Sequence, residues 1–229
     1  MKFILMVSLF IVTAYGKSDI GLQFRGVETT HTTLKGKQVK MLVERYIPSE
    51  CLNVPVNNEQ LRSGMYASAQ VPSSCKKTFV TTAGGVVFPM KIHPDVETYG
   101  EIEVLAFLKK MQRNPALLLI DSRGEEWFEY NTIPGAISMH YHYLTEPEAF
   151  PHEFEASLTK LGVTKSNNHY DFSHAKTIAL FCNGAWCAQS PNMIKALLKL
   201  GYPAQKIKWY RGGMDDWLGL SMTSTHPSD

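Results

Sequence analysis

The chain has 229 residues, 44% of them hydrophobic and 19% charged, and a net charge of +2 at pH 7. These are the proportions of a globular protein with room for one ordinary domain and a smaller unit. The near balance of charge excludes the basic surface of a nucleic-acid reader, and no charge run, low-complexity tract or repeat points to a disordered tail or an array.

The first residues carry one positive charge at Lys2, then an apolar run, then small residues at Ala14 and Gly16. This pattern predicts a secretory signal peptide over 1–16, cut after Gly16. An uncleaved anchor is disfavoured, because the run is about 13 residues against the ~20 that span a bilayer. The mature chain is therefore expected to be exported, periplasmic or secreted, with no membrane contact after cleavage.

Residues 17–91 are rich in Thr, Ser, Gly, Pro and Asn, with short apolar runs at Val39–Val43 and Gly85–Phe88. They read as short strands and turns, either a small β-rich unit or a segment draped over the larger domain. All four cysteines fall in the exported part. Cys51 and Cys75 are expected to form a structural disulfide around a loop of about 25 residues, contributing roughly 3–4 kcal/mol in the chain-entropy treatment. Sequence alone leaves other pairings open.

From residue 92 to 222 helical and strand patterns alternate. Ile102, Leu105, Leu108 and Met111 have helical spacing within Glu101–Met111, and Ala116–Asp121 reads as a buried strand. A short helix over Gly124–Tyr130, a short strand over Gly135–Met139 and a helix over Phe154–Leu161 follow. Then come a strand over Lys176–Phe181, a helix over Pro191–Leu200 stopped by Gly201, and a strand over Ile207–Tyr210. Residues 223–229 form a tail. Strands separated by helices predict an α/β fold, a parallel sheet flanked by helices on both faces, with ligands bound at the carboxyl ends of strands.

Cys182 lies at such an end. Phe181 closes an apolar strand, while Ser190 and Pro191 read as the N-cap and first residue of the next helix. Backbone N–H groups of the turn and the helix dipole favour a thiolate, a persulfide or a bound oxyanion here. Cys182 is the expected nucleophile, against the alternative of an inert buried or bridged cysteine. Cys187 either resolves a Cys182 persulfide or sulfenic acid through an intraloop disulfide, or locks the loop with one.

Four motifs in order resemble those of the rhodanese-like domains: Leu119-Ile120-Asp121-Ser122-Arg123, Ile133-Pro134-Gly135-Ala136-Ile137, Cys182, and Arg211-Gly212-Gly213-Met214 with Trp217. The resemblance covers about residues 92 to 222. It implies a rhodanese-like fold, a catalytic Cys182, and sulfur transfer through a persulfide to a small or protein thiol acceptor, with no metal or organic cofactor. The loop departs from the family pattern. It has eight residues from Cys182 to Gln189, longer than the family's loops, with Gln189 where an Arg would stand and Cys187 as a second thiol. The chain looks more like exported members whose loop carries two cysteines.

Asn183, Gly184, Ala185, Trp186, Ala188, Gln189 and Ser190 are the expected substrate-binding residues. Gly184 can adopt positive φ, and Gln189 offers a neutral donor in place of a cation. A neutral cradle holds dianions weakly, which argues against phosphatase chemistry and favours a thiol or low-charge sulfur substrate. Trp186 either walls the pocket or packs the loop. Asp121 and Arg123 are expected to pair or to hydrogen-bond neighbouring turns and serve the fold. His140 and His142, at i and i+2, would share a face of a strand, but no accompanying metal-ligand spacing makes them a metal site. Two further functions stand beside sulfur transfer: thiol-disulfide exchange by Cys182 and Cys187, and a non-catalytic binding module with a permanent loop disulfide.

Overall fold

The computed structural model of the chain describes residues 26–44, 88–167 and 169–225. The expected signal peptide and the Cys51 and Cys75 pairing lie outside the described residues.

The first described element is an antiparallel hairpin, β1 (Val27–Thr32) and β2 (Gln38–Val43). Alternation along β1 buries Val27, Thr29 and His31 on one face. Val27 and Val43 enter the same core cluster as Val104 and Leu108. The described part of the extension is thus draped over the larger domain.

That domain carries β3 (Glu97–Tyr99), α1 (Glu101–Met111), β4 (Leu117–Asp121), α2 (Glu125–Tyr130), β5 (Ile137–Ser138), α3 (His142–Thr145) and α4 (Pro151–Lys160). A small hairpin of β6 (Thr164–Ser166) and β7 (His169–Asp171) follows, then β8 (Thr177–Phe181), α5 (Gln189–Leu200), β9 (Ile207–Tyr210) and α6 (Gly213–Gly219). Five strands form one sheet in the order β3-β9-β8-β4-β5, with every neighbouring pair parallel. Strand alternation divides the core between two faces. Ile178 and Leu180 of β8 join the cluster containing Met193, Ile194 and Leu197 of α5 and Phe154 and Leu158 of α4. Ala179 and Phe181 join Val104 and Leu108 of α1, Phe128 of α2 and Trp217 of α6. Helices therefore cover both faces, as the alternating pattern predicts.

Several boundaries differ from expectation for local physical reasons. The strand expected over Gly135–Met139 shrinks to Ile137–Ser138, since Gly135 sits at φ +89° in the preceding turn. Helix α5 starts at Gln189 with Ala188 as its N-cap, so Ser190 is not the cap. Pro191 is tolerated in the first turn because N–H groups there have no helical acceptor; the first helical bond runs from the Asn192 N–H to the Ala188 carbonyl at 2.9 Å. Gly201 ends the helix at φ +98° as expected.

Strand β3 is too short and polar to read from sequence, and it exists because β9 offers it an open edge. A groove of about 540 Å³ near that edge, lined by Met90, Lys91, Gln205 and Lys208 among others, lies by the start of β9 rather than at the carboxyl end where Cys182 stands.

Candidate active site

Strand β8 delivers Cys182 to the carboxyl end of the sheet, and the chain turns back before α5 begins. The turn is closed by the Cys187 N–H on the Gly184 carbonyl at 2.9 Å. This brings the two loop thiols together. Neither is in a disulfide, and both are buried, Cys182 at 2% exposure and Cys187 at 5%.

Cys182 Sγ accepts the Ser190 hydroxyl at 3.1 Å, and Ser190 Oγ accepts the Trp209 indole N–H at 3.1 Å. A line of donors thus runs from β9 through the first turn of α5 to the sulfur. Ser190 serves the thiol instead of capping its helix. The Cys182 thiol donates to the Cys187 carbonyl at 3.4 Å. Burial pushes the Cys182 thiol well above its ordinary value; the hydrogen bond to Cys187 and the charge there act the same way, outweighing Ser190.

Cys187 moves in the opposite direction, down to about 7. The Cys182 thiol donates to its sulfur, and the backbone N–H groups of Gln189, Asn183 and Gly184 face it, together overcoming burial. The two thiols are close enough to titrate as a pair, so the loop stabilises one anionic sulfur rather than two.

The rest of the loop is held from outside. Asn183 Oδ1 accepts from Arg123 Nη1 at 3.3 Å, so its side chain faces the fold and its N–H faces Cys187. Gly184 is not at positive φ. It is required for space, since a Cβ there would stand 2.7 Å from Asp215 Oδ2. The Ala185 carbonyl accepts the Phe88 N–H at 2.8 Å, and the Phe88 carbonyl accepts Arg211 Nε at 2.8 Å. Trp186 Nε1 donates to Asp215 Oδ2 at 2.6 Å, which ties the loop to α6. Burial raises the Asp215 carboxyl above its ordinary value against the opposing pull of this bond. Ala188 is exposed, and Gln189 Oε1 lies 3.5 Å from Cys187 Sγ as an acceptor for its thiol form.

Gly213 explains how α6 can pack so closely here. At φ +57° it leaves no room for a side chain, because a Cβ would lie 2.3 Å from the Cys182 carbonyl oxygen. In return the Met214 and Asp215 N–H groups bond the Cys182 and Asn183 carbonyls at 3.0 and 2.7 Å.

The rhodanese-like domain family matches residues 104–220, just over half of the chain, from within α1 to just past the end of α6. The chain belongs to the rhodanese-like domain family. Among solved structures it is similar to a Bacillus halodurans protein at 17% identity and TM-score 0.41, covering 58% of this chain and 78% of that one. It is also similar to the rhodanese-like domain of an Anabaena protein at 16% identity and TM-score 0.37, covering 58% of this chain and 80% of that one. An E. coli rhodanese with anions matches at 20% identity and TM-score 0.29, covering 48% and 98% of the two chains. Comparison with the curated proteins found no match.

Within this rhodanese-like domain Asp121 and Arg123 form a buried ion pair at 2.7 Å. Arg123 also donates to the Asn131 carbonyl at 2.6 Å, and Thr132 Oγ1 donates to Asp121 at 2.7 Å. The guanidinium is thus committed to the fold. Arg123→Leu is expected to destabilise the protein by about 3–5 kcal/mol, because it strands a buried carboxylate. Urea unfolding of the variant measures this, and an unchanged midpoint would contradict it.

His140 and His142 do share a face, with stacked rings 4.8 Å apart, but on a loop and the start of α3 rather than on a strand. His142 Nδ1 lies 2.6 Å from Glu146 Oε1 and its Nε2 lies 2.5 Å from Tyr141 Oη. No cluster of three His, Cys, Asp or Glu that could hold a metal occurs among the described residues. Tyr141 is a neighbour that sequence reading missed. Its phenol is raised by burial, then by the charges of Glu146 and Cys187, which places it near the loop. Trp209, Asp215 and Phe88 were missed likewise, since nothing local marks a strand tryptophan or a distant backbone group as a loop contact.

Proposed function

We propose that this protein is an exported sulfurtransferase that takes sulfane sulfur onto its two-cysteine loop as a persulfide and passes it to a thiol acceptor, with Cys182 essential to turnover. The family supplies the sulfurtransferase-like fold. The observation that carries the finer reading is the contact of two reduced thiols at the end of β8, one of them ringed by backbone N–H groups that stabilise anionic sulfur. Such a loop suits nucleophilic attack on sulfur and needs no metal.

The surroundings favour donors of low charge. Arg123 is tied to Asp121, Gln189 is neutral, and the Asp215 carboxyl abuts Gly184. Organic persulfides, whose sulfane sulfur carries at most one charge, fit this setting better than the thiosulfate dianion.

The test is intact-mass analysis of the reduced protein before and after incubation with polysulfide. Gain of one sulfur atom that is discharged by added thiol supports transfer; a protein that never gains sulfur refutes it. Thiol-disulfide exchange is the second reading, favoured by the same thiol contact, and shows itself as a Cys182–Cys187 bridge formed from a disulfide donor with no sulfur gained. A bridge that resists mild reductant would instead mark a binding module.

A further inference from the structure

At the carboxyl end of the sheet three neighbouring strands run out side by side, and hydrogen bonds tie their ends together. The Ser122 N–H and hydroxyl both donate to the Phe181 carbonyl, at 3.0 and 2.7 Å, and the Ser122 carbonyl accepts the Tyr141 N–H at 3.1 Å. Tyr141 thus stands two strand positions across from the start of the cysteine loop, a lateral distance of about 10 Å. It caps α3, and α3 packs against α5, the helix that closes that loop.

A line of polar groups ends on the Tyr141 phenol. Glu146 Oε1 lies 2.6 Å from His142 Nδ1, and His142 Nε2 lies 2.5 Å from Tyr141 Oη. With the Nδ1–H directed at the carboxylate, Nε2 is left as an acceptor, so the phenol donates to it. The ring of His140, stacked on that of His142 at 4.8 Å, and Phe150, edge-on to it at 6.1 Å, hold the imidazole in place. All three members of the line are partly exposed, so it is open to a molecule arriving at the loop instead of being sealed in the core.

We infer that Tyr141 is a catalytic acid-base residue of sulfur transfer, which takes the proton of the acceptor thiol, and that His142 and Glu146 are the positioning pair through which it acts. This rests on the sulfur-transfer reading above and adds the group that activates the acceptor. The acceptor R–SH gives its proton to Tyr141 Oη while the phenol proton passes to His142 Nε2, leaving an imidazolium beside the Glu146 carboxylate. The sulfur of R–S⁻ then forms a bond to the outer sulfur of the protonated loop persulfide. The persulfide S–S bond breaks, its electron pair stays on the cysteine as a thiolate, and the product leaves as R–S–SH. The imidazolium returns its proton to solvent. Sulfane sulfur passes from one thiol to another, so nothing is oxidised or reduced overall. Run backwards, the same line protonates the thiolate that an organic persulfide donor leaves behind.

The charges around the phenol suit this role. Burial first, then Glu146 and Cys187, raise it above its ordinary value, so at neutral pH it stays a neutral relay and not a phenolate that would repel anionic sulfur. Those two groups and His142 are the titratable neighbours that face it. His140 is lowered by burial and then by His142, against the opposite pull of Glu126, Glu125 and Glu146, which leaves His142 as the ring that takes the proton.

The test follows discharge. The reduced protein is loaded with polysulfide, freed of excess donor and mixed with a thiol, and loss of the added sulfur is timed by intact mass. An alkyl thiol with a pKa of about 8.5 is about 3% ionised at pH 7, so loss of the base slows its reaction by at most about 30-fold. Tyr141→Phe and His142→Gln should each discharge to cysteine about tenfold more slowly than wild type at pH 7. The deficit should shrink as pH rises through the pKa of the thiol, because the ionised thiol needs no base. Discharge to thionitrobenzoate, a thiol already ionised at neutral pH, should run at the wild-type rate in both variants. Wild-type discharge to cysteine in Tyr141→Phe, or an equal loss with both thiols at every pH, overturns the relay and leaves sulfur transfer standing. A wild-type protein that never gains sulfur overturns the transfer reading, and the relay with it.

Discussion

Replacing Cys182 by Ser is expected to lower sulfur-transfer turnover on the order of a thousandfold or more, as loss of a reacting group does elsewhere, while the stability of the fold stays within about 1 kcal/mol of wild type. The serine hydroxyl would stand between the Ser190 hydroxyl and the Cys187 carbonyl, both already within hydrogen-bonding distance of the Cys182 sulfur. A polar group is thus exchanged for a polar group with partners on both sides. The strand end is held independently by the Met214 N–H on the residue's own carbonyl. What disappears is the sulfur nucleophile itself. Steady-state assays with polysulfide and a thiol acceptor, alongside urea unfolding, separate the two effects. Full turnover in Cys182→Ser would remove Cys182 from the chemistry.

Much of this architecture was legible because local pattern and tertiary demand agree. The helical spacing in Glu101–Met111 buries Val104, Leu105, Phe107 and Leu108 against the sheet, and the run ending at Asp121 is covered on both faces, so α1 and β4 emerge where the pattern places them. Cys182 could be placed for the same reason, since the first residue after an apolar strand of a parallel sheet stands at the sheet's carboxyl end. The Asp121–Arg123 pair also forms as the motif implies.

The loop interior was less legible because its decisive contacts are long-range. Ser190 looks like a cap in the local string, yet Trp209 and Cys182 lie on either side of its hydroxyl and take it. Gly184 suggested a left-handed turn, whereas it is the approach of Asp215 from α6 that excludes a side chain. Which thiol carries the charge depends on where several backbone N–H groups point. No spacing rule reports that.

Gln189→Arg is expected to lower the apparent KM for thiosulfate about tenfold. Gln189 is the first residue of α5, and its Oε1 lies 3.5 Å from Cys187 Sγ, so a longer cationic side chain there is placed to reach the mouth of the loop. A hydrogen bond to a charged group contributes about 1.5–3 kcal/mol where a neutral one contributes about 1, and the difference of about 1–1.5 kcal/mol corresponds to a tenfold change in affinity. The guanidinium would also favour a thiolate at Cys187, so the pH midpoint at which iodoacetamide labels Cys187 should fall relative to wild type. These two readouts have different dependences on Cys187. In a Cys187→Ser background the labelling effect must vanish, while tighter thiosulfate binding persists if the guanidinium contacts the anion directly. If the gain in KM vanishes as well, the cation acts through the thiolate and the dianion docks elsewhere. No change in KM in either background, with labelling also unchanged in the presence of Cys187, would mean that position 189 does not face the reacting sulfur or its donor.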